Sequence, residues 1–190
     1  MILKLLIGLF LLLGVLCLVD AIQSQDKWEV ADSATERLSP TSFRQLPENI
    51  AQHLQERGCT VPQSFMGGRP HNVISGQFAK NGQTDWAVLC SKDKVSSILV
   101  FWRGSTKSVS EIAKAPDKDF LQVIDVGEKI GFSRVIEAVV GDYITDHYNA
   151  YGGPKPPPID HQGINDAFVE KASVVRYYYR GKWLELQGAD

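Results

Sequence analysis

The stretch from residue 72 to 104 constrains the fold more than any other part of the chain, because it combines strand-favouring residues with clear turn signals. Apolar and polar residues alternate over 72–78, Asn81-Gly82 follows, and nearly unbroken apolar runs occupy 85–90 and 98–102. An Asn-Gly pair between apolar runs favours the tight turn of a β-hairpin, since both residues tolerate positive φ. Strands that are apolar on both faces belong inside a sheet covered on both sides. The sequence therefore predicts three central antiparallel strands.

The residues around this turn also carry a family pattern. Segment 76–88 reads Gly-Gln-Phe-Ala-Lys-Asn-Gly-Gln-Thr-Asp-Trp-Ala-Val and resembles one FG-GAP unit, the calcium-loop β-motif of integrin-like propellers. In that family, acidic loop positions ligate calcium, a cation that takes about six to eight oxygen ligands. Gln77, Ala79 and Asn81 occupy three of the ligand positions here, and Asp85 keeps the acid at the last. The alternative is that these residues serve only the backbone geometry of a turn.

A second segment repeats part of this frame. Residues 162–169 follow the spacing of 81–88, and Tyr-Tyr-Arg-Gly at 178–181 echoes Phe-Trp-Arg-Gly at 101–104. Two imperfect copies fall short of the roughly three units that a stable repeat array needs, so a closed propeller is not expected. We predict two similar hairpins within one sheet system.

The N-terminus carries the features of a secretory signal peptide. Lys4 provides a short positive region, and residues 5–19 contain no charged side chain. That run is shorter than the ~20 residues of a membrane span, and Val19-Asp20-Ala21 offers a cleavage site. We therefore expect residues 1–21 to direct export and to be removed, which places the protein in a secreted or periplasmic compartment. The alternative is an uncleaved N-terminal anchor.

The charge balance argues against two classes of partner. The chain of 190 residues has 20 Lys and Arg against 22 Asp and Glu, a net charge of −2, and loss of residues 1–21 removes one charge of each sign. A near-neutral, mixed sequence lacks the basic footprint of a nucleic-acid-binding protein. It also lacks a strongly cationic amphipathic stretch for a membrane surface. We predict a flexible lead-in at 22–40 and a single globular domain at 41–190.

Two cysteines, Cys59 and Cys90, remain after removal of the leader. An even number of cysteines in an oxidising compartment favours a disulfide. The bond would tie an N-terminal helix to the central strands, and closing a loop of about thirty residues is worth ~3 kcal/mol. The alternative is two separately buried thiols.

Three segments predict helices. The longest covers 41–57, with Thr41 or Ser42 as N-cap, apolar residues at helical spacing, and Gly58 at its end. Residues 105–115 and 142–151 predict two short helices.

The remaining elements are strands and one connector. Residues 119–126 and 132–140 predict strands, 152–158 a stiff proline-rich connector, and 172–188 a final hairpin that turns at Arg180-Gly181. The predicted fold class is α+β: an antiparallel sheet of meanders and hairpins with a long N-terminal helix and one or two short helices.

Candidate chemistry is sparse. The sequence has no G-x-S-x-G, H-E-x-x-H or C-x-x-C motif, which leaves acyl transfer and a zinc site without support. One acidic-histidine cluster stands out, comprising Asp142, Asp146, His147, Asp160, His161 and Asp166. Within it, His147, Asp160 and Asp166 are the candidate ligands for a divalent cation. The alternative is that these carboxylates are solvated or cap helices.

Two strand ends carry candidate contact residues. They are Trp102, Arg103, Tyr179 and Arg180. Trp, Tyr and Arg are enriched at binding hot spots. The alternative is that the rings pack in the core.

Two functions follow from these features. The first is a non-catalytic extracytoplasmic module that binds or inhibits an extracytoplasmic protein or glycan, or belongs to the cell envelope, without a cofactor. The alternative is a secreted hydrolase that uses the Asp/His cluster with or without a divalent metal.

Overall fold

The structure is a computed structural model that describes residues 27–125 and 129–187. Two four-stranded antiparallel meanders dominate it. Sheet 1 has the strand order β3-β4-β5-β6 and sheet 2 the order β9-β10-β11-β12. The elements in chain order are α1 (27–34), β1 (Arg37–Leu38), α2 (Glu48–Glu56), β2 (Val61–Pro62), β3 (Val73–Gly76), β4 (Asp85–Lys92), β5 (Val95–Phe101), β6 (Val109–Pro116), β7 (Leu121–Val123), β8 (Ile130–Phe132), β9 (Arg134–Val139), α3 (Gly141–Tyr151), β10 (Gly163–Phe168), β11 (Ala172–Tyr179) and β12 (Lys182–Gln187).

The core consists of three apolar layers. Ile50 and Leu54 of α2 pack against the outer face of sheet 1. Leu89 of sheet 1 and Ile164 of sheet 2 belong to the layer between the two sheets. Ile144 of α3 packs with side chains on the outer face of sheet 2. The order is therefore α2, sheet 1, sheet 2, α3, which confirms the α+β class with antiparallel sheets that do not close.

The three central strands are confirmed as β3, β4 and β5, but the turn between the first two differs from the prediction. Asp93 and Lys94 form the tight turn between β4 and β5, with φ of 52° and 60°. Positive φ at both turn residues matches the twist of the flanking strands. The Asn81-Gly82 pair instead lies in a longer loop between β3 and β4, where Gly82 alone of the two has positive φ, at 78°.

The long N-terminal helix is not confirmed. A short 3₁₀ turn at Pro40–Ser42 is followed by α2, which begins only after Pro47. Proline disfavours helical geometry in the residue before it and lacks the N–H that a helix interior needs. The end of the helix is as predicted, because Gly58 has φ of 75° and donates its N–H to Gln55 O at 2.9 Å.

The Cys59–Cys90 disulfide is confirmed, with the two Cα atoms 5.2 Å apart. Cys59 lies just beyond Gly58, which ends α2, and Cys90 lies in β4. The bond therefore ties the helical layer to the centre of sheet 1.

The predicted helix at 105–115 is wrong, since this segment contains β6, the edge strand of sheet 1. The pairing of β5 with β6 shifts register between Ser96 and Ile98, and Ala113 has φ of 56°. An extra residue at a bulge breaks the period-2 alternation of a strand. The spacing of Val109, Ile112 and Ala113 therefore resembles a helix.

The other predictions hold with changed boundaries. The strand at 119–126 is a 3₁₀ turn, Asp117–Phe120, followed by β7, and the strand at 132–140 is β9, preceded by β8. The helix at 142–151 is α3. The final hairpin is β11 and β12, and its turn residues Arg180 and Gly181 have φ of 49° and 82°.

The two similar segments lie in separate sheets, whereas one sheet system was predicted. Arg103-Gly104 connects the third and fourth strands of sheet 1, and Arg180-Gly181 does so in sheet 2. All four turn residues have positive φ. Residues 27–34 of the predicted lead-in are helical, and β1 pairs with β2. The described helices include none long and apolar enough to cross a membrane.

Candidate binding groove

An open groove of about 730 Å³ lies on the outer face of sheet 2, where α3 does not cover it. Its floor includes Val135 of β9 and Ala167 of β10, which are direct cross-strand partners. Segment 64–71 forms the facing wall. The volume falls within the range of small-molecule and peptide-side-chain pockets.

Successive side chains in the strands of sheet 2 point to opposite faces, and most of the outward-pointing ones at the groove are apolar. Val135 and Ala167 point outward, whereas their neighbours Ile136 and Ile164 pack between the sheets. Farther along the same outer face, Val175 and Tyr177 are buried beneath α3. The groove is therefore the part of this face that the helix leaves open.

The side-chain amide of Gln63 closes the loop that forms the wall. It makes the pair of hydrogen bonds with the His71 backbone that a neighbouring strand would make. Gln63 Oε1 accepts the N–H of His71 at 2.9 Å, and Gln63 Nε2 donates to the His71 carbonyl at 3.1 Å. The N–H of Phe65 donates to Phe132 O at 2.7 Å. The first two bonds join the ends of the segment to each other, and the third holds Phe65 against β8.

His71 is held in one tautomer by its neighbours. The N–H of Ser64 donates to His71 Nε2 at 2.8 Å, and His71 Nδ1 lies 3.3 Å from Arg69 O. Nε2 must therefore be the acceptor and Nδ1 the protonated nitrogen. Because a backbone N–H occupies the Nε2 lone pair, His71 is not free to take a proton from Ser64 Oγ.

Ser64 supplies an unused hydrogen-bonding group. The residue lines the groove, and its side-chain Oγ is buried without a partner among the described residues. Burial of a hydroxyl without a hydrogen-bond partner destabilises the folded protein by about 1–3 kcal/mol. A shift of the Ser64 side chain toward the groove would let a ligand bond this oxygen and offset that cost.

The remaining lining gives the groove charge and adaptability. Arg69 stands on the wall and Glu137 on the floor, one charge of each sign. Met66 is 63% exposed at the rim. A methionine side chain adjusts its shape to different apolar partners.

Tyr143 of α3 lies near enough to Glu137, a groove residue, for the charge of that carboxylate to affect the pKa of its phenol. Its pKa is raised, first because the ring is buried and next because of the charge on Glu137. The ring centroids of Tyr143 and His147 lie 4.2 Å apart, with the ring planes tilted by 41°, and the His147 centroid lies 5.5 Å from that of Tyr151. The phenol is therefore a neutral hydrogen-bonding group at physiological pH.

The candidate metal ligands are not assembled. Asp166 is buried and accepts hydrogen bonds from Arg134 Nε at 2.8 Å and Arg176 Nε at 3.0 Å. His147 lies beside the Tyr143 ring on α3, and Asp160 binds the Tyr177 hydroxyl at 3.2 Å. Within 27–125 and 129–187, no three His, Cys, Asp or Glu side chains form a group that could hold a metal ion.

The rest of that cluster is also dispersed. His161 stacks on Tyr177 with ring centroids 4.3 Å apart, and its Nδ1 lies 3.0 Å from Gln162 O. Asp142 and Asp146 are exposed on α3. These contacts stabilise the connector and the helix.

Asp85 is a structural carboxylate. Its Oδ2 accepts the N–H groups of Phe78 and Ala79, both at 3.0 Å, and its Oδ1 accepts the N–H of Arg103 at 2.8 Å and Gln83 Nε2 at 2.7 Å. Each oxygen thus has two donors, whose positive ends point where a cation would sit. The contacts agree with the turn-geometry reading of the FG-GAP-like segment.

The predicted contact residues divide into two sets. Trp102 is half-buried between the sheets, where it lies 4.6 Å from the Tyr178 ring and 5.6 Å from the Trp183 ring. Tyr179 is half-buried in the layer under α3. Arg103 and Arg180 are exposed, and Arg180 lies over the Tyr179 ring at 5.1 Å. The rings mainly serve packing, while the arginines remain accessible.

The groove residues escaped the sequence analysis because they share no local motif. Segment 64–71 has no periodicity, and the floor residues look like ordinary strand positions. The proline and glycine content of the segment marked only a loop. No protein-family model, curated protein or solved structure matches this chain, so the site rests on its geometry alone.

Proposed function

We propose that this protein is an exported, non-catalytic binding module whose binding site is the groove between segment 64–71 and sheet 2. The observation that carries the proposal is the open groove of about 730 Å³ with an apolar floor, which Ser64 lines as one of its polar residues. Ligand sites combine an apolar lining with a few placed polar groups. The ligand class that fits is a segment of an extracytoplasmic protein, or a glycan, with an apolar face.

The compartment is part of the same proposal. Residues 5–19 have the pattern of an export leader. The Cys59–Cys90 bond is of the kind that persists in oxidising compartments. Both features support a secreted or periplasmic protein.

The contacts support binding over hydrolysis. His71, the imidazole nearest to Ser64 in the groove, already accepts a backbone N–H at Nε2. Asp166, one of the carboxylates of the Asp/His cluster on which the hydrolase hypothesis depends, pairs with two arginines. Neither group is in position to act as a general base, which needs a free acceptor within reach of its proton.

The test compares a groove-blocking variant with a matched control. Ala167→Trp places an indole on the groove floor, and Ala150→Trp adds the same ring to an exposed site on α3. Each protein is immobilised and exposed to envelope and medium fractions of its source. We expect components retained by the wild type and by Ala150→Trp to be lost with Ala167→Trp. Equal retention by both variants would contradict the groove as the site.

Melting temperature distinguishes a metal-dependent hydrolase from a metal-free binding module. Addition of a divalent cation, or of a chelator, should leave the melting temperature of a metal-free binding module unchanged. A chelator-sensitive melting temperature together with turnover of a hydrolase substrate would overturn the binding proposal.

A further inference from the structure

A second cavity, of about 390 Å³, lies on the inner side of sheet 2, where the edge strand β6 approaches it. Its apolar wall includes Phe120, Phe168 and Val174. Its polar wall includes Lys114, Arg134 and Arg176. Because residues 166 and 168 face inward and residues 167 and 169 outward, this cavity is separate from the groove.

Arg134 forms the floor and is 1% exposed. It donates to both oxygens of Asp166, from Nε at 2.8 Å and from Nη2 at 2.9 Å. It also donates to Ser96 Oγ at 3.1 Å and to the Ala113 carbonyl at 2.7 Å, and it lies 4.3 Å above the Phe120 ring. These contacts fix the guanidinium in place before any ligand arrives.

Arg176 is a second cation that binds the Asp166 carboxylate. Its Nε donates to Asp166 Oδ2 at 3.0 Å, and its Nη1 donates to Glu185. Its Nη2 donates to no group in the described part of the chain, and its side chain lines the cavity. Arg176 therefore has a donor group left for a ligand.

The charges around the cavity do not balance. Two guanidiniums share one buried carboxylate, that of Asp166, and Arg176 also pairs with Glu185, whose side chain is 70% exposed. Lys114 adds a third cation at the rim, where its Nζ has a loose contact of 3.7 Å with Glu111. The lining therefore holds three cations against two carboxylates, and an incoming anion would offset the excess positive charge.

We propose that this cavity is a binding site for a small carboxylate with an apolar or aromatic body. The carboxylate binds the Nη2 donors of Arg176 and the Lys114 ammonium, a charge-assisted pairing that guanidinium geometry favours. The body of the ligand packs on Phe168 and Val174. No covalent step is involved.

Titration calorimetry of the purified protein at neutral pH tests the site with benzoate as the probe. Benzamide has the same shape without the charge, and acetate has the charge without the ring. We expect saturable binding of benzoate, weaker binding of acetate and no binding of benzamide. Amide resonances of 113–115 and 172–174 should shift on addition of benzoate.

Variants locate the binding. Lys114→Glu reverses a charge at the rim, at a side chain 69% exposed, and should weaken benzoate binding about tenfold. Lys107→Glu, at an exposed lysine that does not line the cavity, is the matched control and should leave affinity unchanged. Arg176→Met should abolish binding. Arg134 remains as a partner for Asp166 in this variant, and circular dichroism checks that the variant is folded.

Four results would overturn the proposal. They are absence of benzoate binding, equal binding of benzamide, equal binding of acetate, and equal weakening by Lys107→Glu and Lys114→Glu. The first three would show that the cavity does not recognise an apolar carboxylate. The last would show a diffuse effect of net charge.

Discussion

At the scale of single residues, Asn72 joins the two main sheets through its side chain. It is 1% exposed and has φ of 69°, a region that asparagine tolerates better than most residues. Its Nδ2 donates to Pro62 O at 2.7 Å and to Arg134 O at 3.1 Å, and its Oδ1 accepts the Ile136 N–H at 2.9 Å. Nothing in the local sequence indicates this role.

We expect Asn72→Asp to lower the free energy of unfolding by about 2–4 kcal/mol, because a charged oxygen replaces a donor that faces two carbonyls. Aspartate keeps the shape and tolerates the same φ, so the change isolates the hydrogen bonds. Urea unfolding at neutral pH gives the value. A loss below about 0.5 kcal/mol would show that the amide does not hold the sheets together.

Tyr177 makes stability depend on alkaline pH. The ring is buried, and its hydroxyl accepts the Asp160 N–H at 3.1 Å and lies 3.2 Å from Asp160 Oδ1. Burial, followed by the charge on Asp160, raises the pKa of Tyr177 above its ordinary value of 10.0. The unfolded chain thus loses this proton at a lower pH than the folded protein does.

The stabilisation from that raised pKa is fully present below pH 10 and is lost as the pH rises through the folded pKa. We expect the free energy of unfolding to decline above pH 10, and to decline less in Tyr177→Phe, which cannot ionise. Urea unfolding at neutral pH and above pH 10 measures both slopes. Identical declines in the two proteins would mean that Tyr177 does not carry the effect.

At the scale of elements, the disulfide links a short helix to the middle of a sheet. Isolated helices as short as α2 are unstable in water. Packing of Ile50 and Leu54 on sheet 1 supplies one restraint, and the Cys59–Cys90 bond supplies another. A pairing inferred from cysteine count and compartment thus also explains how this layer stays in place.

We expect the double substitution Cys59→Ala and Cys90→Ala to lower the free energy of unfolding by about 3–4 kcal/mol, because it frees a loop of 31 residues in the unfolded chain. Thermal unfolding with and without reductant measures it. Reductant should lower the melting temperature of the wild type and leave that of the variant unchanged. Equal sensitivity to reductant in both proteins would contradict this role.

At the scale of the whole molecule, two similar meanders pack face to face, and each carries a helix on its outer side. The two helices differ in how much of the outer face of their sheet they cover. The groove lies where α3 leaves part of sheet 2 uncovered, and the second cavity lies where β6 bulges at Ala113 beside the Arg134 network. Both candidate sites are thus consequences of incomplete covering by neighbouring layers.

Local patterning correctly predicted the strands of both hairpins, the Arg180-Gly181 turn and α3, because these depend on neighbouring residues and turn chemistry. The even number of cysteines beyond the leader favoured the disulfide but left two separate thiols as the alternative. Local patterning failed at 105–115, where a bulge breaks the alternation expected of a strand. It also failed over 41–57, where the helix begins only after Pro47. Tertiary structure alone decided that Asp166 would be paired with arginines and that Ser64 would line a groove. Such contacts join residues far apart in the chain, and no local sequence signal records which distant side chain will arrive beside another.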